Sequence, residues 1–195
     1  MKKQPGVDTT KLAAIGYCFG GTMTYMAACH IPGVAAASSY YGGGACAIGH
    51  GVAVFVHDGD RCLWQLDLSQ PGATPVRLTE PGADGRFAGS LGGGVIDGPR
   101  QRWIGVLETG GFDQLVAVPL DGGPPQPLHQ PVDFCGYPAL GPCGTRLAWV
   151  EWQQPCMPWE RSRLWLAALD ADGQLHDARP VAGSIPGEGA GISVF

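Results

Sequence analysis

Charged residues are scarce: 12 lysines and arginines and 17 aspartates and glutamates in 195 residues, a net charge of −5. The cations form no run or cluster, so nothing in the chain can track a phosphate backbone by counterion release, and nucleic acid is excluded as a partner. Paired cysteines are lacking too. The seven cysteines, at positions 18, 29, 46, 62, 135, 143 and 156, are odd in number and contain no C-x-x-C pair, which argues against a zinc site and a disulfide framework. Gly92-Gly93-Gly94 is followed by neither a lysine nor a helix and is no phosphate loop. Long apolar runs are missing as well. The two lysines near the N-terminus have no apolar stretch behind them, and the later apolar run is broken by glycines, so neither a secretion signal nor a membrane span is expected. These absences predict a cytoplasmic protein with free thiols, without metal, cofactor or membrane partner.

Glycine and proline, at 32 and 17 residues, are abundant, yet six tryptophans and a hydrophobic fraction of 45% argue against disorder. The combination reads as many short strands joined by tight turns. The length suits one ordinary domain or two small ones.

The stretch with most chemical potential is Ile15-Gly16-Tyr17-Cys18-Phe19-Gly20-Gly21. Lys11 to Ile15 reads as a short buried strand, and Thr22 to His30 carries Met23, Met26 and Ala27 at helical spacing. Passing from strand to helix with almost no loop requires residues that tolerate a cramped backbone, which Gly16, Gly20 and Gly21 supply. Such a turn holds its central side chain exposed, with the helix N-terminus aimed at it. Cys18 occupies that position, where the helix N-terminus favours the thiolate. The backbone N–H of Phe19 would serve as an oxyanion donor, a contact worth roughly a hundred- to a thousandfold in rate. A buried free cysteine in a tight glycine turn is the plain alternative. A second buried strand from Gly33 to Tyr41 would complete a βαβ unit, with His30 capping the helix.

The run from Val7 to Gly44, with its GYCFGG core and the later Tyr40-Tyr41-Gly42, closely resembles the nucleophile segment of the dienelactone hydrolase family, α/β-hydrolases that act through a cysteine. The resemblance implies ester or lactone hydrolysis through a Cys18 acyl-enzyme. That fold normally sets several strands before its nucleophile strand, and the ten residues ahead of Lys11 hold none, so the chain reads as chimeric or truncated.

Beyond Gly42-Gly43-Gly44 the α/β character ends. Three segments each repeat an apolar strand, a second strand and a third strand beyond a turn: Val52 to Val56, Cys62 to Asp67 and Thr74 to Leu78; Trp103 to Leu107, Gln114 to Val118 and Gln126 to His129; Arg146 to Trp152, Arg163 to Ala167 and Ala178 to Ala182. Leu63, Leu115 and Leu164 recur about every 50 residues, a spacing that suits four-stranded propeller blades. The tryptophans read as sheet-packing anchors, and Asp67, Asp121, Asp170 and Asp172 as turn residues. From about Ala47 to the end, including GPCGTRLAWVEWQQPCMPWERSRLWLAALDADGQL, this part resembles the propeller of prolyl oligopeptidase-like peptidases, the dipeptidyl aminopeptidase and acylaminoacyl-peptidase group. In that family the propeller precedes a separate catalytic domain and filters access to it. Cys143 and Cys156 depart from the blade pattern, the first where a turn aspartate is usual.

A cysteine nucleophile needs a base and a group to orient it. None of His30, His50, His57, His129 and His176 sits in a matching motif. His57 and Asp60, in VAVFVHDGDR, imitate a base and its orienting acid, while the same residues also fit a hairpin turn. The expectation is therefore a mixed fold: a short α/β-hydrolase-like βα(β) fragment over 1–46, then mainly antiparallel β over 47–195, a partial β-propeller of about three blades. Three functional readings stay open: hydrolysis of a small ester, lactone or peptide substrate through Cys18; a non-catalytic gating or binding module; an inactive chimeric fragment. Three blades cannot close a ring of at least four, so self-association through open propeller edges is expected.

Overall fold

The computed structural model describes residues 12–17 and 34–40 as backbone strands and residues 46–188 in full. The chain divides into two compact units, Met1–Gly44 and Ala45–Phe195.

In the first unit, β1 (Leu12–Tyr17) pairs parallel with β2 (Val34–Tyr40), with Ile15 opposite Ser38 and Tyr17 opposite Tyr40. Parallel neighbours cannot be joined by a hairpin and need a crossover of a dozen or more residues, for which 18–33 is long enough. The strand expected over Lys11 to Ile15 runs instead to Tyr17, the residue before Cys18. Cys18, Phe19 and the expected helix from Thr22 to His30 lie outside the described residues.

The second unit contains three four-stranded antiparallel sheets, each a meander of consecutive strands. Blade 1 comprises β3 (Cys46–Gly49), β4 (Val52–Val56), β5 (Leu63–Asp67) and β6 (Val76–Arg77). Blade 2 comprises β7 (Ser90–Asp97), β8 (Arg102–Thr109), β9 (Phe112–Pro119) and β10 (Gln126–His129). Blade 3 comprises β11 (Phe134–Leu140), β12 (Arg146–Trp152), β13 (Arg163–Leu169) and β14 (Leu175–Gly183). The first strands are neighbours, β3 against β7 and β7 against β11. This is a partial, unclosed β-propeller of three blades.

One hydrogen bond repeats in each blade and sets them in a common frame: Leu68 N–H to the Gly51 carbonyl at 2.8 Å, Leu120 to Gln101 at 2.8 Å and Leu169 to Thr145 at 2.9 Å. Val52, Arg102 and Arg146, the residues after those carbonyls, are therefore equivalent. Alternation along each strand sends side chains to both neighbours. Trp103, Val116 and Val118 join Val54 and Leu63 in the core between blades 1 and 2. Ile104, Leu115 and Ala117 join Leu147, Trp149 and Ala167 between blades 2 and 3. A strand covered on both faces needs an apolar residue at nearly every position, which is why β8 and β9 stand out in the sequence.

The strands absent from the expected repeats are β3, β7 and β11, the first of each blade. β7 contains Gly92-Gly93-Gly94. Its glycines answer a packing demand. A Cβ on Gly94 or on Gly105 of β8 would overlap the Trp103 indole, so the two glycines leave room for a ring that is 2% exposed. At Cys143 the turn forms from backbone alone, with Gly144 N–H to the Gly141 carbonyl at 2.8 Å and Gly144 at φ 65°. Trp159, expected as a sheet anchor, is 60% exposed in the β12–β13 loop.

Candidate functional site

His57 and Asp60 lie in the β4–β5 hairpin. The turn closes through His57 N–H to the Cys62 carbonyl at 3.0 Å and Arg61 N–H to the His57 carbonyl at 2.7 Å, with Arg61 in the left-handed region at φ 56°. The Asp60 carboxylate accepts the Cys62 N–H at 3.0 Å and the Trp64 Nε1–H at 3.1 Å, and lies 3.1 Å from His57 Nδ1. Burial alone would raise the Asp60 carboxyl, but the hydrogen bonds from Cys62, Trp64 and His57 outweigh it and hold the group below its ordinary value. The two residues chosen from the sequence thus meet, with His57 exposed and tilted over Trp64.

Such a pair presents an imidazole with one nitrogen held by a carboxylate, as a general base requires. It lacks a described nucleophile. Among the described residues no cysteine sulfur lies within hydrogen-bond distance of His57. The neighbouring thiol, Cys62, is fully buried, and burial pushes it up, away from the thiolate. Asp60 also closes the hairpin as an Asx residue does, capping backbone two residues on.

Two clusters that the sequence did not reveal lie between blades 2 and 3. In the first, Asp97 is fully buried at the end of β7 and accepts from Arg102 Nε at 2.9 Å and Arg100 Nη1 at 3.1 Å. Arg100 spends its remaining donors on blade 3, reaching the Gly144 carbonyl at 2.9 Å and the Asp170 carbonyl at 2.6 Å. Arg102 Nη2 donates to the Gly173 carbonyl at 2.9 Å. Planar guanidinium forks satisfy several fixed acceptors at once, which makes this a clamp between two sheets. The signal available in the sequence was Asp97-Gly98-Pro99-Arg100-Gln101-Arg102, two arginines and an aspartate at one turn of a charge-poor chain.

In the second cluster Glu151 Oε1 lies 2.7 Å from His129 Nε2 and accepts the Trp149 Nε1–H at 2.7 Å. His129 stands against both Trp149 and Trp165, with ring centroids 4.9 and 5.5 Å away. Beside it, the Asp113 carboxylate accepts the Cys135 N–H at 3.0 Å; burial raises the Asp113 carboxyl, and the Cys135 N–H offsets this only in part. Burial, with the charges of Asp113 and Glu151, pushes the Cys135 thiol up. Glu151, His129 and Trp149 spend hydrogen bonds on one another, whereas the buried Trp165 Nε1 has no hydrogen-bond partner. Among the described residues no group of three or more histidine, cysteine or acidic side chains could hold a metal ion, and no helix is long and apolar enough to cross a membrane.

Residues 1–58 match the family model of the dienelactone hydrolase family. The match runs past Gly44 into β3 and β4, which are antiparallel strands of blade 1. Among solved structures, a puromycin hydrolase is 29% identical with a TM-score of 0.62, over 74% of this chain and 25% of that one. A puromycin-hydrolyzing peptidase of Mycobacterium tuberculosis is 31% identical with a TM-score of 0.63, over 74% of this chain and 23% of that one. A TolB of Agrobacterium tumefaciens shares the fold at 15% identity and a TM-score of 0.51, over 68% of this chain and 46% of that one. No curated protein matches. The chain spans about a quarter of the length of the puromycin hydrolases it resembles. It joins a segment similar to one hydrolase family to blades similar to peptidase propellers.

Proposed function

We propose that the blades form a non-catalytic, substrate-selecting propeller segment of a peptidase of the puromycin-hydrolysing kind, recognising small aminoacyl amides. The carrying observation is the likeness of these three consecutive meanders, at 29–31% identity, to puromycin-hydrolysing peptidases. The chemistry of the blades agrees: the guanidinium groups of the Asp97 clamp are spent on structural acceptors, Glu151 is held by His129 and Trp149, and the His57–Asp60 pair caps a hairpin. Equilibrium dialysis of the full chain against puromycin tests this reading. Saturable binding without hydrolysis is expected; no binding at millimolar puromycin, or turnover, overturns it.

A second reading has its own observation. β1 stops at Tyr17, so Cys18 follows the strand directly, as a nucleophile elbow requires, and the dienelactone hydrolase match spans it. In this reading Cys18 attacks a small ester or lactone and the Phe19 N–H takes the oxyanion. Hydrolysis of p-nitrophenyl acetate separates the two. Loss of turnover in Cys18→Ala supports the ester hydrolase, and an unchanged rate in that variant removes it.

A further inference from the structure

The first strands of blades 2 and 3 bulge at the same place. In β7 the pairing with β8 passes from Gly92 opposite Val106 to Val95 opposite Ile104. In β11 the pairing with β12 passes from Gly136 opposite Val150 to Ala139 opposite Ala148. Each strand thus carries two residues where its partner has one, Gly93-Gly94 opposite Gly105 and Tyr137-Pro138 opposite Trp149. Such a bulge re-aims a side chain. The leading residue is left-handed in both, Gly93 at φ 60° and Tyr137 at φ 57°. Glycine adopts that conformation readily, whereas a bulky residue is strained there. Blade 3 therefore keeps a tyrosine at a position where glycine serves the fold in blade 2, and strain of this kind collects where a side chain serves a ligand.

The register also fixes what Tyr137 looks onto. Across blade 2, Gly92, Val106, Leu115 and His129 stand opposite one another in turn and form a row. Across blade 3, the Tyr137 bulge, Trp149 and Trp165 form another. The rows face each other. Leu115 and Trp149 share one core, with Val106 and Trp165 packed against it, and His129 stands against both indoles. The inner end departs from this fit. A Cβ on Gly92 would meet nothing within 4 Å, and Tyr137 is 48% exposed. The opening lies between two blades that are both described in full, with bare peptide backbone on one wall and the tyrosine on the other.

We propose that this opening is an aryl-binding site, in which Tyr137 and the backbone of Gly92-Gly93 hold the aromatic ring of a small aminoacyl amide. The site rests on the substrate-selecting role proposed for the blades and names the group that is selected. A tyrosine face gains from an aromatic partner beyond the area covered, which an aliphatic side chain does not supply. Tyrosine also offers a large contact area at little conformational cost. Gly92 is the second selecting position, because its missing side chain makes the space.

Equilibrium dialysis of the full chain against phenylalaninamide and leucinamide tests the site. The parent chain is expected to bind phenylalaninamide about fivefold more tightly. Tyr137→Asn suits the left-handed backbone without the ring, and Gly92→Val fills the space with a side chain whose Cβ meets no neighbour. Each is expected to erase the preference without lowering the melting temperature. Tyr137→Phe is expected to keep both the preference and the fold. A parent chain without the preference overturns the proposal, as does a preference that survives in Tyr137→Asn or Gly92→Val. So does a loss of several degrees in Tyr137→Asn, which would make the tyrosine a packing residue. Puromycin dialysed in parallel separates the site from the wider role. If the parent binds puromycin no more tightly than Tyr137→Asn and Gly92→Val do, the selecting role stands and this site falls; if the parent binds none of the three ligands, both fall.

Discussion

Arg102 at the start of β8 donates to the carbonyl of Gly173, 2.9 Å away and 71 residues later in the chain. Its Nε is held at the same time by Asp97, whose side chain is fully buried. Removing one partner of a buried pair leaves the other charge poorly compensated, at a cost of about 3 kcal/mol. Arg102→Ala is therefore expected to lower the unfolding free energy by about 3 kcal/mol in urea titrations. The exposed pair Arg77–Glu80, at 2.9 Å, is the control, and Arg77→Ala should cost under about 1 kcal/mol. Equal losses in the two variants would show that the clamp does not join the blades.

Trp103 fills the space that Gly94 and Gly105 leave vacant. A methyl group at Gly105 would fall within the indole and within 2.9 Å of the Gly92 carbonyl, so neither ring nor backbone can yield cheaply. Overpacking of this kind costs about 1–3 kcal/mol or more. Gly105→Ala should lower the urea midpoint by at least that much and red-shift tryptophan emission as Trp103 is displaced. Gly110→Ala, at an open position with φ 62°, would pay only for backbone strain and should leave the emission unchanged.

Much of this architecture was legible in the sequence, and the reason differs from strand to strand. β8, β9, β12 and β13 are apolar on both faces, so their composition announces them. β7 carries Gly94 where the Trp103 ring needs space, and that need arises from a residue on another strand. The Arg100 and Arg102 clamp is harder still to read, because most of its acceptors are backbone carbonyls of Gly144, Asp170 and Gly173, which have no side-chain signature. His57 and Asp60 were brought together by a hairpin whose chemistry was local.

Thiol reactivity should follow burial among the described cysteines. Cys62 and Cys135 are buried, and burial pushes both thiols up; Cys143 is exposed. Because the thiolate is the reactive species, iodoacetamide at neutral pH should label Cys143 and spare Cys62 and Cys135 until urea unfolds the blades. Peptide mapping by mass spectrometry reads the result. Early labelling of Cys135 would contradict the packing between blades 2 and 3. An activated Cys18 would stand out in the same map by reacting well below the usual thiol range of about 8.5.

Asp60 and Asp113 should drive stability in opposite directions with pH. Asp60 is held below its ordinary value, since the hydrogen bonds from Cys62, Trp64 and His57 outweigh its burial. Its contribution is therefore complete above about pH 4, near the unfolded value, and is lost as pH falls through the lower folded value. Asp113 is raised, chiefly by burial, with Glu108 adding to the shift. The protonated form suits its fold, so its contribution is present below about pH 4 and is lost as pH rises through the raised folded value. Asp60→Asn should lower the melting temperature at pH 7, with the deficit shrinking toward pH 3. Asp113→Asn retains an amide oxygen for the Cys135 N–H while discarding the buried charge, so at pH 7 it should melt at or above the parent temperature and no longer lose stability between pH 4 and 7. A larger deficit for Asp113→Asn at pH 7 than at pH 4 would mean that the ionised carboxylate is the form the β9–β11 contact requires.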